Sequence, residues 1–281
     1  MNFIIDNFDK LFNSEESLKR LEEIILDLAV KGKLVPQDPN DEPASMLLEK
    51  IKAEKEQLIK EKKIKKDKDL SPITEEEIPF EITESWEWVR LGEVTGYIQR
   101  GKSPEYSERE EIPVVSQKCV QWSGFDLDKA RFINPDSLCK YDDERFLITG
   151  DLLWNSTGLG TLGRINVFEN KYIFKKIVVD SHVTIIRPLI VDSFYLYDWF
   201  SGNIVQSEIN NKSTGSTKQT ELGTATIKNH IVPLPPLAEQ KRIVLQVEKL
   251  MKVCDELEKL VEKSQKEANK LMDSLMNELV G

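Results

Sequence analysis

The sequence holds few of the residues from which metal sites, disulfide frameworks and acid–base centres are built. Its 281 residues include only three cysteines and two histidines. Cys119, Cys139 and Cys254 lie far apart along the chain, and neither His182 nor His230 belongs to a zinc-type motif. We therefore expect no bound metal and no disulfide framework, and a reducing, cytoplasmic setting for the protein.

Long apolar runs and an excess of basic residues are also absent. No apolar run approaches the ~18 residues of a membrane-spanning helix, and acids stand near the N-terminus where a secretory leader would be basic. The formal net charge is −10, and most of this acidic excess lies in residues 1–85. Residues 86–236 are nearly neutral, so global charge neither indicates nor excludes a nucleic-acid partner.

No complete catalytic motif is present either. Residues 158–163 match the G-x-G-x-x-G pattern, but a cofactor-binding turn of this kind must open a helix that faces the cofactor. Residues 164–168 instead form a β-type run. The sequence therefore predicts a tight glycine-rich hairpin with Asn155, Ser156 and Thr157 exposed at its mouth, and a binding module rather than an enzyme.

A long C-terminal helix dominates what the sequence does contain. Residues 237–280 include neither proline nor glycine, and Glu239 lies in the first turn. Apolar residues recur at spacings of three, four or seven, which indicates a helix of roughly 60 Å that needs a partner. The periodicity is typical of a coiled-coil oligomerisation interface, with the candidates Ile243, Val247, Leu250, Leu257, Val261, Leu271 and Leu275.

The first 70 residues predict a helical arm. The segment Asn13-Ser14-Glu15-Glu16 is typical of a cap with an acidic first turn, and the helix that follows ends near Lys31, before Gly32. A second helix is expected over about residues 44–66, where the apolar face is thin and the charge is dense, so that it projects into solvent or rests on a partner. Residues 71–85 form an acidic, proline-marked linker.

Residues 86–236 predict a compact domain of short strands. Glycine, asparagine, aspartate and proline punctuate the β-rich runs, and one short helix is expected at residues 194–203, with residues 207–211 as a possible continuation. The runs are residues 112–115, 131–133, 151–154, 164–168, 172–179 and 182–186. The predicted fold class is α+β: one globular, β-rich domain between an N-terminal helical arm and the long helix of residues 237–281.

Three polar, glycine-bearing loops in this domain are candidates for DNA contact. They lie at residues 99–104, 154–164 and 212–219, and each mixes a cation with short hydroxyls or amides, the groups that contact base edges and phosphates. Residues 117–122 are a weaker fourth candidate. The predicted DNA-binding residues are Arg100, Lys102, Ser103, Asn155, Thr157, Arg164, Lys218 and Gln219.

Three sequence blocks resemble the specificity subunit of type I restriction–modification enzymes. They are residues 21–45, residues 78–92 with their Trp86-Glu87-Trp88-Val89-Arg90-Leu91-Gly92 run, and residues 233–244 with Pro233-Leu234-Pro235-Pro236-Leu237-Ala238-Glu239-Gln240. Residues 150–158 and Gly163-Arg164 are similar to that family's target-recognition domain. Together the blocks bracket nearly the full length.

The resemblance implies a non-catalytic subunit that binds double-stranded DNA. Residues 86–236 would be a target-recognition domain that reads one half of a bipartite site, and residues 237–281 a spacer helix in an antiparallel coiled coil. The implied partners are modification (methyltransferase) subunits, which would bind S-adenosylmethionine and methylate adenine, and restriction subunits. This chain itself would bind no cofactor.

The sequence departs from the family pattern in one respect. Family members usually carry two recognition domains and two spacer helices, whereas this chain has one of each. It therefore resembles a half-subunit that would form a homodimer through the long helices and recognise a symmetric, interrupted site. A truncated gene or an expressed piece would look the same. The alternatives from other classes are a dimeric scaffold that binds protein and, more remotely, a standalone methyltransferase.

Overall fold

The computed structural model describes residues 14–66, 70–158, 160–212, 214–216 and 219–280. The helices in these residues are α1 (Glu15–Val30), α2 (Ala44–Lys60), α3 (Ser193–Ser201), α4 (Asn203–Lys212), α5 (Thr224–Lys228) and α6 (Leu237–Val280). The strands are β1 (Glu87–Arg90), β2 (Thr95–Arg100), β3 (Tyr106–Ser107), β4 (Pro113–Val115), β5 (Val120–Gln121), β6 (Gly124–Phe125), β7 (Arg131–Ile133), β8 (Leu152–Asn155), β9 (Ile165–Val167), β10 (Val178–Val179), β11 (Val183–Pro188), β12 (Thr214–Ser216), β13 (Gln219–Glu221) and β14 (Ile231–Leu234). The predicted α+β class is confirmed, with the strands in the centre and helices on both sides in sequence.

Two four-stranded sheets build the central module. The first has the order β2-β11-β8-β9 and is antiparallel throughout. The second has the order β10-β4-β7-β3, in which only the β10–β4 pair is parallel. The β5–β6 and β12–β13 pairs form two small hairpins beside the sheets. Short strands of this kind cannot bury much area singly, so each sheet depends on apolar residues from both faces.

The chain enters and leaves the module through one two-stranded sheet. β1 pairs antiparallel with β14, with Trp88 opposite Pro233. Helix α3 covers this pair, because the Tyr195 hydroxyl donates to the Pro233 carbonyl at 2.6 Å and the Trp199 indole donates to the Ile231 carbonyl at 3.1 Å. The start of α6 is therefore fixed to the same place where the module begins.

The N-terminal helices share a hydrophobic core with the module. Ser14 caps α1 in a capping box with Ser17, and the apolar face of α1 packs on α6. Burial, and then the charges of Glu258 and Asp255, raise the pKa of Glu22, which places the first half of α1 beside the middle of α6. Gln37, past the end of α1, lies beside Glu239 at the start of α6. The two helices are thus antiparallel.

The sequence predicted that the second helix projects into solvent or rests on a partner, whereas it packs on the chain's own core. Ala44, Leu47 and Ile51 are each at most 2% exposed and belong to the main core. The prediction relied on the many charged residues of α2. One narrow apolar face is nevertheless enough to attach a helix to a core. The helix also ends at Lys60 rather than near residue 66, and Lys62 follows with a positive φ of 58°.

The acidic segment of residues 71–85, predicted as a linker, packs against the module. Arg90, with its side chain only 5% exposed, donates to the Ser71 and Pro72 carbonyls and forms an ion pair with Glu77 at 2.7 Å. The hydrogen bonds that Glu77 accepts from the Arg90 guanidinium, and then from the Thr74 backbone amide, lower the pKa of Glu77 to about 2. Phe80 lies edge-on to Trp88, with ring centroids 5.1 Å apart. The predicted division into residues 1–70, 71–85, 86–236 and 237–281 remains a prediction.

Several predicted strands and helices change their bounds. The run at residues 172–179 shortens to Val178–Val179, and Tyr172 and Phe174 before it pack as an irregular segment on a core cluster that includes residues of both sheets. The short helix predicted at residues 194–203 is Ser193–Ser201, and Asp192 caps it by accepting from the backbone of Phe194 and Tyr195. Gly202 is extended and separates it from α4.

The long helix is confirmed over Leu237–Val280, and its apolar stripe has two different environments. Ile243 and Val247, predicted as part of an oligomer interface, are 0% and 5% exposed and lie within the chain's own core. Leu250 is also packed against that core. Residues 262–279 are all exposed, including Leu271 at 64% and Leu275 at 50%. The stripe therefore continues for roughly 27 Å beyond the packed part, at 1.5 Å per residue.

Among the described residues, none of the helices combines the length and the apolar character that crossing a membrane requires.

Candidate nucleic-acid interface

The predicted loops meet at one end of the first sheet. Arg100, the last residue of β2, lies opposite Thr184 near the start of β11, and Asn155, the last residue of β8, lies opposite Val183. The loops after β2 and β8 and the turn before β11 therefore lie at the same end of the strands. The hairpin β12–β13 joins them through a bridge between Thr157 and Glu221.

The first loop lies flat against the chain before β11. The Gly101 and Lys102 amides donate to the carbonyls of Val183 and Val179 at 3.0 and 3.1 Å. A Cβ at Gly101 would lie 2.0 Å from the Val179 carbonyl oxygen, so only glycine allows this approach. Lys102 donates to the Lys140 carbonyl, at the edge of the second sheet.

Ser103 extends the same surface. Its exposed hydroxyl donates to the Ser181 hydroxyl at 3.4 Å, beside exposed His182. The His182 ring is itself 2.8 Å from the Thr157 hydroxyl through Nδ1. His182 lies exposed, directly before β11.

Arg100 connects three of the loops. Its guanidinium forms an ion pair with Glu221 at 2.7 Å and donates to the Ser156 and Leu222 carbonyls, each at 3.2 Å. The Arg100 side chain remains 23% exposed. The predicted DNA-binding arginine is thus held at the surface with its charge already paired by Glu221, a residue that sequence reasoning did not select.

The glycine-rich segment is a hairpin, as predicted, but its mouth is not exposed. β8 pairs with β9 across residues 156–164, and Gly163 has the positive φ of 89° that this turn requires. Asn155 and Ser156 are fully buried, and Thr157 is 7% exposed. The prediction of exposed side chains here is wrong, because these small polar side chains are buried and form hydrogen bonds within the protein. An example is the Thr184 hydroxyl, which donates to the Ser156 hydroxyl at 2.9 Å.

The fourth, weaker candidate is a small hairpin attached to the second loop. The Asn155 side-chain amide donates to the Gln117 and Val120 carbonyls at 3.3 and 3.2 Å. Arg164 donates to the Gln121 side chain and, at 2.6 Å, to the Gly160 carbonyl. Asn155 and Arg164 therefore hold this hairpin in place through hydrogen bonds. The sequence pattern did not predict this role.

The third loop is described only in part. β12 and β13 form an antiparallel pair. Lys218 lies outside the described residues, and Gln219 is described by its backbone alone, at the start of β13. The Leu222 amide donates to the Ser156 carbonyl at 2.9 Å and fixes this loop to the second one.

The surface offers hydrogen-bonding groups and cations. Burial raises the pKa of Asp180, whose carboxylate accepts from the His182 backbone amide at 2.8 Å. Within the described residues, no group of three or more histidine, cysteine, aspartate or glutamate side chains has the arrangement of a metal site. The arrangement suits contact with an extended polar ligand.

Comparison with known proteins decides the family. A family model described as the type I restriction modification DNA specificity domain matches residues 83–266, which include the whole central module and most of α6. The chain belongs to this family. The four loops therefore lie on a DNA specificity domain.

Two curated members of the type I restriction specificity family cover almost all of this chain. The EcoAI specificity subunit of Escherichia coli is 34% identical over 93% of this chain and 44% of its own length. The EcoEI specificity subunit of Escherichia coli is 34% identical over 95% of this chain and 46% of its own length. The chain thus spans about half the length of these two relatives.

A solved structure shares the fold. It is described as the structural basis underlying complex assembly and conformational transition of the type I R-M system, and one of its chains superposes with a TM-score of 0.55 at 18% identity. The match covers 93% of this chain and 56% of the other. At this identity the likeness concerns the fold, which agrees with the predicted β-rich domain between helices.

Proposed function

We propose that this chain is a DNA sequence-recognition subunit of a type I restriction–modification complex. The observation that carries the proposal is that four polar loops meet at one end of the first sheet, in a chain that belongs to the DNA specificity family. The module of residues 86–236 reads one half of a bipartite site in double-stranded DNA. Arg100, Lys102 and Ser103 lie at the DNA surface.

The chain acts without chemistry of its own. Modification subunits bind S-adenosylmethionine and methylate adenine, restriction subunits cleave, and this subunit directs them to a sequence in the cytoplasm. Two points support this division: the family membership and the use of the small polar side chains of the second loop in internal hydrogen bonds. The alternative, a protein-binding scaffold, is not favoured by the family match.

The far half of α6 provides the attachment site for a second copy. Leu271 and Leu275 stand on an exposed stripe that continues the packed face of the same helix. A two-fold pair of long helices covers such a stripe and places two modules at a fixed distance, as a symmetric interrupted site requires. The modification subunits dock on the same helices.

Methylation mapping tests the proposal. The chain is expressed with its cognate methyltransferase subunits in a host that lacks them, and the methylated adenines are located by sequencing. We expect one interrupted sequence to be methylated. Lys102→Ala should weaken binding to all sequences and lower the salt slope, whereas Lys252→Ala, on α6, should change neither. Methylation without sequence preference, or no association with the methyltransferase subunits, would contradict the proposal.

A further inference from the structure

The turn of the β5–β6 hairpin carries a large exposed aromatic side chain. Val120 pairs with Phe125 and Gln121 with Gly124, which leaves Trp122 and Ser123 as the two turn residues. Gly124 has a φ of +121°, which suits glycine and lets the turn close tightly. Trp122 is 47% exposed at the tip.

Trp122 differs in this respect from the other tryptophans, all of which the structure describes. Trp86, Trp154 and Trp199 are at most 3% exposed, and Trp88 is partly buried against Phe80 and Trp199. A tryptophan gains most from burial because its ring is the largest apolar surface of any side chain. Trp122 therefore gains less from folding than the three buried tryptophans do.

The base of the β5–β6 hairpin is held by buried residues and hydrogen bonds. Cys119 and Val120 are fully buried. Asn166, 8% exposed, donates its side-chain amide to the Gln121 carbonyl at 2.6 Å, and fully buried Asn155 donates to the Val120 carbonyl at 3.2 Å. Two buried amides thus hold the backbone on either side of the turn, so the indole is presented from a rigid support.

The hairpin itself, taken as residues 117–125, carries one cation and no acid, and Asp126 and Asp128 follow it directly in the chain. The cation is Lys118, which is exposed. The Arg164 guanidinium donates a hydrogen bond to the side-chain oxygen of Gln121, the residue directly before Trp122. The hairpin also adjoins the second loop, because the Gln117 amide donates to the Thr161 hydroxyl at 3.1 Å. The tryptophan therefore stands beside the loops assigned to DNA.

From these observations we infer that Trp122 is a DNA-contacting residue whose indole stacks on or wedges against a base step, an inference that rests on the proposed function. An aromatic ring on a rigid turn loses little conformational entropy when it binds, and apolar wedges of this kind unstack base steps in DNA-bound proteins. Asn155 and Asn166 act as positioning residues that fix the hairpin. Lys118 supplies a phosphate contact next to it.

Tryptophan fluorescence in the full chain tests the contact directly. The probe is a 40-bp duplex that the wild-type chain, bound to its methyltransferase partner, enriches from a random library. Acrylamide quenches exposed indoles, so the readily quenched emission of the free protein comes from Trp122 and should be missing in Trp122→Phe. Saturating duplex should lower the quenching constant of the wild type to that of Trp122→Phe.

Affinity measurements separate stacking from charge. Trp122→Ala should weaken duplex binding by on the order of tenfold or more, as loss of a stacked base does, with an unchanged salt slope. Trp122→Phe should retain most of the affinity, and Lys118→Ala should lower the salt slope by about 0.9. Ile148→Ala is the matched control, since Ile148 is 50% exposed and precedes the opposite end of β8.

The outcomes distinguish the inference from the function on which it rests. If the wild type enriches no duplex, the proposed function fails and the inference fails with it. If the wild type binds the duplex while Trp122 stays quenchable and Trp122→Ala binds normally, only the inference is wrong. Protection of Trp122 by the methyltransferase subunits without DNA would assign the tip to a protein contact and would also overturn it.

Discussion

Trp86 donates its indole N–H to the carboxylate of Glu239, with Nε1 3.0 Å from Oε2. The two residues are 153 positions apart and are 3% and 1% exposed. The Gln37 amide donates to the other carboxylate oxygen. The N-terminal arm, the module and the long helix therefore meet at one buried carboxylate, which fixes the direction in which α6 leaves the module.

Glu239 should make the stability of the protein depend on pH. Burial raises the pKa of Glu239 above its ordinary 4.5, against the opposing effect of the hydrogen bonds from Trp86 and Gln37. The folded chain therefore holds this proton more tightly than the unfolded chain. The stabilisation is fully present below about pH 4.5 and is lost as the pH rises through the folded-state pKa.

Urea unfolding at a series of pH values measures this effect. The unfolding free energy of the wild type minus that of Glu239→Gln should fall as the pH rises above 4.5 and then become constant. Glu248→Gln, at a solvent-exposed ion pair with Lys252, provides the matched removal of one surface carboxylate. Parallel profiles for the wild type and Glu239→Gln would refute the assignment.

The buried ion pair of Asp151 and Arg187 should matter mainly when one partner is removed. Asp151 is fully buried and accepts from Arg187 Nε at 2.7 Å and from Nη2 at 2.8 Å. Asp151→Asn leaves the guanidinium without its countercharge and should cost about 3 kcal/mol of unfolding free energy.

The double variant Asp151→Asn/Arg187→Met tests the reason. It should be less destabilised than Asp151→Asn alone, because it leaves no unpaired charge. Glu169→Gln, which breaks an exposed ion pair with Lys171, should cost less than about 1 kcal/mol. A double variant that is less stable than the single one would show that the charge is not the cause.

Under the proposed function, Glu221 should weaken DNA binding by pairing with Arg100. Glu221→Gln removes the carboxylate that lies 2.7 Å from the Arg100 guanidinium and should tighten duplex binding several-fold, equivalent to about 1 kcal/mol. The gain should shrink as salt is added, since the effect is electrostatic. Glu248→Gln makes the same charge change on the long helix, and equal gains in both variants would mean that only net charge matters.

The exposed stripe on the far half of α6 should govern self-association. Leu271→Glu/Leu275→Glu should lower the dimer fraction in light scattering without lowering the stability of the monomer, because both residues are exposed. Asn277→Glu is the control on the opposite side of the helix. Ile243→Ala should instead destabilise the fold by about 3 kcal/mol, since Ile243 is fully buried. Unchanged association in the double glutamate variant would move the interface elsewhere.

Local sequence signals identified much of the fold. The absence of proline and glycine in residues 237–280 and the regular apolar spacing predicted α6, and the β-type run after Gly163 correctly predicted a hairpin rather than a cofactor-binding turn. These features depend on backbone preferences and periodicity, which neighbouring residues determine. The same periodicity could not distinguish Val247, buried in the chain's own core, from Leu275, which is exposed.

The roles of the polar residues were decided by tertiary structure. Asn155 and Arg100 belong to equally polar, glycine-bearing loops, yet Asn155 is buried beneath the β5–β6 hairpin and Arg100 reaches the surface beside Glu221. Sequence alone determined the order of helical arm, β-rich module and long helix, because composition and period encode those elements locally. Only the folded chain decided which polar groups face solvent, since that depends on partners such as Val120 and Glu221, which are distant in sequence.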